Sequence, residues 1–243
     1  QPLERVQVLA EEMDVPIHMH VQETEDEISN SMVQHSQRPL KRLDKLDLLS
    51  PRLIAVHMTQ LTDEEIAHFA NTGGHVVHCP ESNQKLASGF CPVQKLMEAG
   101  INVALGTDGA ASNNDLNILG EMRSAALLAK AHAGNASALP AAKALTMATL
   151  NGAKALGLDN DIGSLVIGKA ADITAIDLGG IESVPVYNPI SHIVYATGRH
   201  QVTHVWVAGK SLLSERALIN LDEESIIKKA KIWQRKIAAR ESG

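Results

Sequence analysis

The stretch Val103-Ala-Leu-Gly-Thr-Asp108-Gly-Ala-Ala-Ser112-Asn-Asn-Asp-Leu-Asn117 decides how the rest of the chain is interpreted. It opens with an apolar run that is too short for a helix, stops at Gly106, and places Asp108 in a segment of small polar residues. Strands of a parallel α/β barrel end in this way at a catalytic mouth, where they aim side chains at a pocket open to solvent. An ordinary strand followed by a polar loop is the alternative, and residues further upstream argue against it.

Composition limits the classes of protein to consider. With 243 residues, 44% apolar and 21% charged, the chain is typical of a soluble globular protein with one sizeable core. No apolar run approaches the roughly 20 residues of a spanning helix, so we expect no membrane segment. The formal charge of −6, with acidic and basic residues interspersed, argues against a nucleic-acid partner.

Cysteine use and the first residues bear on location. Cys79 and Cys91 are the two cysteines, which fits a reducing compartment and predicts no disulfide framework. The first residues show no signal for export, so we expect a cytoplasmic protein. Because the sequence does not start with Met, we also expect that it begins partway through a longer polypeptide.

Helices and strands alternate along the first two thirds of the chain. Capping-box patterns at Thr24 with Glu27, and at Thr62 with Glu65, predict two helix starts. The predicted strands are 17–20, 53–57, 75–78 and 101–106, and helices are predicted at 3–14, after Thr24, after Pro39, after Thr62, at 92–99, and over 116–156 with breaks near Gly134 and Asn151-Gly152.

This alternation predicts a parallel sheet wrapped by helices. A closed barrel needs eight strands, whereas the pattern supplies four. The fold class is therefore predicted to be α/β, with residues 1–160 forming the C-terminal half of a (β/α)8 TIM-like barrel.

The sequence pattern changes after residue 160, from alternating helices and strands to short strands separated by turn residues. Short strands are predicted within 163–177, 192–195 and 202–213, and Ala208-Gly209 is predicted to form a hairpin turn. We assign 161–220 to part of a small β-sandwich domain. Residues 221–243 are assigned to a terminal amphipathic helix whose apolar stripe is expected to pack on the barrel.

Four polar residues fall at the ends of the four strands. His20, His57, His78 and Asp108 should therefore meet at one mouth of the barrel. Imidazole and carboxylate are the ligands of catalytic divalent metals. Glu23 follows His20 by three residues, so its carboxylate can face the same pocket as a proton shuttle.

Four segments then resemble a known family. They are Ile17-His-Met-His20-Val-Gln-Glu23-Thr-Glu, Val56-His57-Met-Thr, His78-Cys-Pro-Glu-Ser-Asn83-Gln-Lys-Leu-Ala-Ser-Gly89, and the stretch around Asp108. Together they resemble the amidohydrolase superfamily, in the branch of the 5-methylthioadenosine/S-adenosylhomocysteine deaminases and the s-triazine hydrolases. Residues 163–172 and 204–210 resemble the accessory β-sandwich of that branch.

The resemblance implies roles for individual residues. His20 and Asp108 would bind one divalent metal ion, zinc or iron, while Glu23, His57 and Asp108 would be catalytic. Ser112, Asn83 and His78 would line or support the substrate pocket. The implied reaction is hydrolytic deamination of a purine nucleoside or related heteroaromatic amine, in which hydroxide formed at the metal attacks the ring carbon that bears the amino group.

One departure from the family pattern leaves alternatives open. Family members carry a His-x-His pair after the first barrel strand, and this sequence has no such early strand. The missing N-terminal barrel half is therefore an expected partner. The other expected partners are a small-molecule substrate and further copies of the chain in a homo-oligomer. The alternatives are an s-triazine-type chlorohydrolase or aminohydrolase, and a catalytically incomplete half-barrel.

Overall fold

Two separate four-stranded sheets organise the computed structural model, which describes residues 2–241. None of the described helices combines the length and the apolar character that crossing a membrane requires. In chain order the elements are α1 (Pro2–Met13), β1 (Ile17–Val21), α2 (Glu25–His35), α3 (Pro39–Asp44), β2 (Leu53–His57), α4 (Asp63–Ala70), β3 (His75–His78), α5 (Pro80–Lys85), α6 (Val93–Glu98), β4 (Asn102–Leu105), α7 (Ala110–Asn113), α8 (Ile118–Ala133), α9 (Ala141–Met147), α10 (Leu150–Ala155), β5 (Ile173–Ile176), α11 (Pro189–Tyr195), β6 (Val202–Val207), β7 (Lys210–Ser214), β8 (Ala217–Leu218) and α12 (Glu223–Glu241).

The first sheet confirms the predicted half-barrel. Its strands run parallel in the order β1-β2-β3-β4, with His20 beside Val56 and His78 beside Leu105. Every residue of β2 is buried, because helices pack on the sheet as they do in parallel α/β folds. The main core therefore lies between this sheet and its helices.

The two predicted helix starts differ in detail. At α4 the Thr62 side chain accepts the N–H of Glu65, and the Glu65 carboxylate accepts the N–H of Thr62, which completes a capping box. At α2 the Thr24 side chain accepts the N–H of Glu27 at 3.2 Å. The Glu27 carboxylate, however, accepts the backbone N–H groups of the two residues before Thr24 and so holds the loop after β1.

A helix break does occur near Asn151-Gly152, but two to three residues earlier than predicted. Both residues lie inside α10, and the interruption falls earlier, at Ala148 and Thr149. The Asn151 side chain donates to the carbonyl of Val103 at 2.8 Å, so a tertiary contact with β4 holds this residue in a helix. Sequence analysis also did not predict α5 and α7, two short helices beside the strand ends.

The second sheet is antiparallel, in the order β5-β6-β7-β8. Ala208 and Gly209 have φ of 49° and 75°, which confirms the predicted hairpin turn between β6 and β7. Within 163–177, where short strands were predicted, residues 173–176 form β5, whereas 163–172 form no strand. Gly163 and Gly168 adopt φ of 86° and 98° and turn the chain there.

The strand predicted at 192–195 is also wrong, because these residues belong to helix α11. Asn188 caps that helix by accepting the N–H of Ser191 at 3.0 Å, and Pro189 occupies its first turn. Val194 is fully buried in the main core. The segment thus packs with the barrel helices although it lies within the region predicted to be β.

Helix α12 forms over most of the predicted range, but its apolar stripe does not pack on the barrel. The side chains of Ile226, Ile227 and Trp233 are 47%, 52% and 61% exposed. Lys236 places its ammonium group over the Trp233 ring, 4.8 Å from the centroid. The expectation of a packed stripe is therefore wrong, since the described residues offer these side chains no covering surface.

Candidate active site

The four strand-end residues lie where the sequence predicted, at one edge of the parallel sheet. His20 is the penultimate residue of β1, His57 and His78 end β2 and β3, and Asp108 follows β4 by three residues. One nitrogen or oxygen atom from each of His20, His57 and Asp108 lies within 4.8 Å of the others. The neighbouring register of parallel strands produces this cluster, because equivalent strand ends meet at the same edge.

An unusual backbone supports the cluster. His57 and Met58 have φ of 73° and 50°, and Asp108 has φ of 60°. Left-handed conformations are unfavourable for residues other than glycine, and they occur preferentially at functional sites. These bends end the strand geometry and turn His57 and Asp108 toward His20, whose ring lies perpendicular to that of His57 at 4.5 Å.

Two serines orient the Asp108 carboxylate. Ser82 on α5 and Ser112 on α7 both donate to Oδ2, at 2.8 and 2.7 Å. The other oxygen, Oδ1, faces Nε2 of His20 at 3.9 Å. Burial acts to raise the pKa of Asp108, but hydrogen bonds from Ser112, Ser82 and the Gly109 N–H, together with His57, lower it overall. The carboxylate is therefore ionised at neutral pH.

His57 is fully buried, and its two ring nitrogens have different surroundings. Nδ1 lies 2.7 Å from Oδ1 of Asn83, an acceptor, so Nδ1 carries the hydrogen in the neutral ring. Nε2 then presents a lone pair and has no hydrogen-bond partner among the described residues. Its nearest acidic neighbour is Oε2 of Glu23, at 3.7 Å.

Glu23 is held from three directions. Ser88 donates to its Oε1 at 2.9 Å, and its backbone N–H donates to the Glu27 carboxylate at 2.7 Å. Its carbonyl accepts the Thr59 hydroxyl at 2.5 Å. These contacts leave Oε2 facing His57, at the edge of the cluster.

The remaining predicted residues lie behind this first layer. Ser112 hydrogen-bonds to Asp108, and Asn83 hydrogen-bonds to His57. His78 is buried at the end of β3 and is not part of the cluster of His20, His57 and Asp108. Burial, and secondarily the charge of His57, lowers the pKa of His78 to about 3, so its ring is neutral. Cys79 and Cys91 are both free and buried.

Sequence analysis missed Ser82 and Ser88. Both lie within the segment between His78 and Gly89 that carries the family resemblance, so their position was available. Their contacts depend on α5, whose start is marked by Pro80 in its first turn, a known helix-start signal. Recognition of that signal would have placed Ser82 next to the strand ends.

The donor set fits a catalytic divalent metal. Catalytic zinc takes three protein ligands of imidazole, carboxylate or thiolate type and keeps one position open. His20 and Asp108 offer an imidazole and an ionised carboxylate, and the buried lone pair on His57 Nε2 lies in the same small volume.

A parallel barrel sheet whose strand ends gather imidazole and carboxylate groups is characteristic of barrel hydrolases with metal at the C-terminal face. Residues 3–212 match the family described as "Amidohydrolase family". The chain therefore belongs to the amidohydrolase family.

Individual relatives narrow the comparison. The chain is 52% identical to a 5-methylthioadenosine/S-adenosylhomocysteine deaminase of Saccharophagus degradans over 98% of its own length and 54% of the relative. The corresponding enzyme of Halobacterium salinarum is 42% identical over 95% of this chain and 53% of the relative. The chain thus spans about half the length of these curated relatives.

Solved structures give the same result. An adenosine deaminase from Xanthomonas campestris with bound zinc superposes with a TM-score of 0.96 at 52% identity, over 98% of this chain and 54% of that one. An atrazine chlorohydrolase from Arthrobacter aurescens, complexed with zinc, superposes with a TM-score of 0.90 at 30% identity, over 95% and 51%. The family, the branch and the half-barrel predicted from sequence are confirmed.

Proposed function

We propose that the chain supplies the proton-transfer half of a zinc-dependent deaminase, acting on the adenine ring of a nucleoside of the methylthioadenosine or S-adenosylhomocysteine type. The main support for this proposal is the cluster of His20, His57 and Asp108, with Oε2 of Glu23 3.7 Å from Nε2 of His57. The names of the most similar relatives support the substrate class. Iron is the second candidate metal.

His20 and Asp108 would hold the metal through Nε2 and Oδ1, the atoms that face each other in the cluster. When bound, zinc lowers the pKa of water from 15.7 to about 7, which supplies hydroxide near neutral pH. The serines on Oδ2 keep Asp108 ionised and fixed in orientation.

His57 and Glu23 would move the protons. His57 accepts a proton at Nε2, because its Nδ1 hydrogen is committed to Asn83. Glu23 delivers a proton to a ring nitrogen of the substrate, which lets the ring take up charge when the amino-bearing carbon is attacked. The amino group then takes up the proton held by His57 and leaves as ammonia, while the new hydroxyl on the same carbon returns a proton to Glu23 and becomes a carbonyl.

We further propose that the chain works together with a second barrel half. Strands β1 and β4 form the two edges of the parallel sheet, and their unpaired backbone N–H and C=O groups are available to pair with further strands. The relatives are about twice as long as this chain, so they contain enough sequence for four more strands. We call these residues plus a completing half, on one polypeptide or two, the intact enzyme, and we expect it to assemble further as a homo-oligomer.

The test compares the chain alone with the intact enzyme. We expect the chain alone to be inactive, and the intact enzyme to bind zinc and to release ammonia from 5-methylthioadenosine or S-adenosylhomocysteine. Metal content, oligomeric state and ammonia release are measured for both. A monomeric chain with tightly bound zinc and full turnover would refute the need for a second half, and an intact enzyme without turnover would refute the deaminase.

A triazine hydrolase is the second candidate. Its support is the close superposition on the atrazine chlorohydrolase. Displacement of chloride from a triazine ring needs the same activated water and the same protonated ring nitrogen, so the cluster serves both reactions. Parallel assays of ammonia release from nucleosides and chloride release from atrazine separate the two candidates.

A further inference from the structure

A buried carboxylate outside the cluster lies behind the two helices that hold Asp108. Glu121 on α8 is fully buried. One of its oxygens accepts the backbone N–H of Glu81 at 3.1 Å, and the other accepts the side-chain amide of Asn113. The proton transfers proposed above do not use Glu121, so its position calls for a separate explanation.

The two donors to Glu121 are adjacent in sequence to the two donors to Asp108. Glu81 directly precedes Ser82 on α5, and Asn113 directly follows Ser112 on α7. A single carboxylate therefore joins α5 and α7 from behind. On their other side, the two serine hydroxyls converge on one oxygen of Asp108.

Helices α5 and α7 need such an anchor because they are short. They contain six and four residues, too few for a helix to be stable by itself in water. Helix α8 is much longer and also binds the Glu81 side chain, which accepts the Ser124 hydroxyl at 2.9 Å. A Cβ atom on Gly120 would come within 3.0 Å of the same Glu81 oxygen, so α8 packs closely against α5 here.

The burial of Glu121 has an energetic cost. Burial is the main cause that raises its pKa to about 7, the Glu81 carboxylate adds to the rise, and the hydrogen bonds from the Glu81 N–H and Asn113 oppose it. Removing an ionisable group from water is unfavourable unless hydrogen bonds compensate. The hydrogen bonds from the Glu81 N–H and the Asn113 amide therefore offset part of the free-energy cost of burying Glu121.

We infer that Glu121 is a positioning residue for Asp108. By fixing Glu81 and Asn113, it sets α5 and α7 so that Ser82 and Ser112 both bind Oδ2. Oδ1 is then left toward His20. This inference rests on the proposed function, because it takes Asp108 as a metal ligand.

The test exchanges the donor and acceptor across the Glu121–Asn113 contact. In E121Q, the new amide group must face either the Glu81 N–H or the Asn113 amide, so one donor meets another donor. In the double variant N113D/E121Q, the amide introduced at position 121 donates to the carboxylate introduced at position 113, while the amide oxygen still accepts the Glu81 N–H. The introduced carboxylate also keeps an oxygen for the N–H of Leu116, which Asn113 accepts at 2.7 Å in the wild type.

Zinc affinity of the intact enzyme, measured by competition with a chelator, is the main readout, with melting temperature beside it. We expect E121Q to weaken zinc binding by about 10 to 100-fold, the range for residues that orient a ligand. The double variant should recover most of that loss. Lys130→Met is the matched control, since it removes hydrogen bonds that the far end of the same helix donates to the carbonyls of Ala138 and Leu139, and it should leave zinc affinity unchanged.

A merely structural role predicts a different pattern, in which E121Q lowers the melting temperature but leaves zinc affinity unchanged. That result would overturn the inference, as would a double variant that binds zinc weakly or does not fold. If E121Q alone does not fold, the double variant decides. Because zinc affinity needs no substrate, a wild type that binds zinc without deaminating nucleosides refutes the proposed function alone. A wild type without zinc refutes both.

Discussion

The parallel and the antiparallel sheet use the same left-handed backbone for different purposes. In the parallel sheet, His57, Met58 and Asp108 adopt positive φ at or shortly after the strand ends, and the bends turn the His57 and Asp108 side chains into a shared cluster with His20. In the antiparallel sheet, Ala208 and Gly209 adopt positive φ only to reverse the chain between β6 and β7.

Burial also differs between the two sheets. All five residues of β2 are buried, whereas all residues of β6 are partly or largely exposed. A fully buried strand such as β2 holds its end rigidly, which is what a site with fixed distances requires. The comparison indicates that substitutions at the ends of the parallel strands should affect chemistry, while those in the antiparallel sheet should affect stability.

The largest expected effect is the loss of Asp108. In the intact enzyme, Asp108→Ala should abolish turnover and weaken zinc binding by at least about 10 to 100-fold, since even residues that only orient a ligand have effects of that size. Zinc content and ammonia release measure the two effects. A variant with full zinc content would show that Asp108 is not a ligand.

The next effect concerns Glu23. Glu23→Gln keeps the size and much of the hydrogen bonding of the side chain but cannot transfer a proton, so turnover should fall by about 10² to 10⁴. Zinc content should stay unchanged, which separates Glu23 from Asp108. Glu215→Gln, in the exposed turn between β7 and β8, is the control and should leave both quantities unchanged. Loss of zinc in Glu23→Gln would contradict the assignment as a shuttle.

A pH effect on stability comes third. The pKa of His78 is lowered to about 3 in the folded protein from an ordinary value of 6.5, so the stabilising contribution is complete above pH 6.5 and is lost as pH falls toward 3. Between pH 6.5 and 5 the free energy of unfolding should fall by about 2 kcal/mol. His78→Gln should remove this part of the pH dependence in denaturant titrations at pH 5 and 7.5. An unchanged slope would show that His78 is not buried as a neutral ring.

The smallest effect belongs to the antiparallel sheet. Asp172 accepts the backbone N–H of Ala208 at 2.7 Å, and Asp172→Ala removes that single hydrogen bond. The free energy of unfolding should fall by about 0.5 to 1.5 kcal/mol, while zinc affinity and turnover remain those of the wild type. A change in the zinc affinity of Asp172→Ala would contradict the expectation that substitutions in the antiparallel sheet affect only stability.

The same contrast explains which parts of the fold could be predicted. The parallel strands are short apolar runs between clear helix signals, and the polar residue at each strand end is conspicuous. The alternation of strands and helices places all strand ends at one edge of the sheet. This is why the sequence could locate His20, His57, His78 and Asp108 together. The segment 192–195 was misassigned because the short run His-Ile-Val-Tyr fits a strand or a buried helix turn equally well, and the cap at Asn188 decides between them.

The support behind the site was harder to predict. Ser82 contacts Asp108, Glu121 contacts Glu81 and Ser88 contacts Glu23 across 26, 40 and 65 residues of sequence. No local periodicity encodes such contacts. The exposed stripe of α12 has the same origin, since an amphipathic pattern predicts a face to be covered but not what covers it.

The bend at His57 and Met58 has a consequence for the evolution of this chain. Each non-glycine residue in the left-handed region costs roughly 1 to 2 kcal/mol, so glycine at position 58 would recover part of that energy, whereas a β-branched residue would add to it. Met58 is also fully buried, so most replacements must satisfy a steric limit as well. Few single substitutions at position 58 can satisfy both the left-handed backbone and the buried volume, so the bend should tolerate little sequence change.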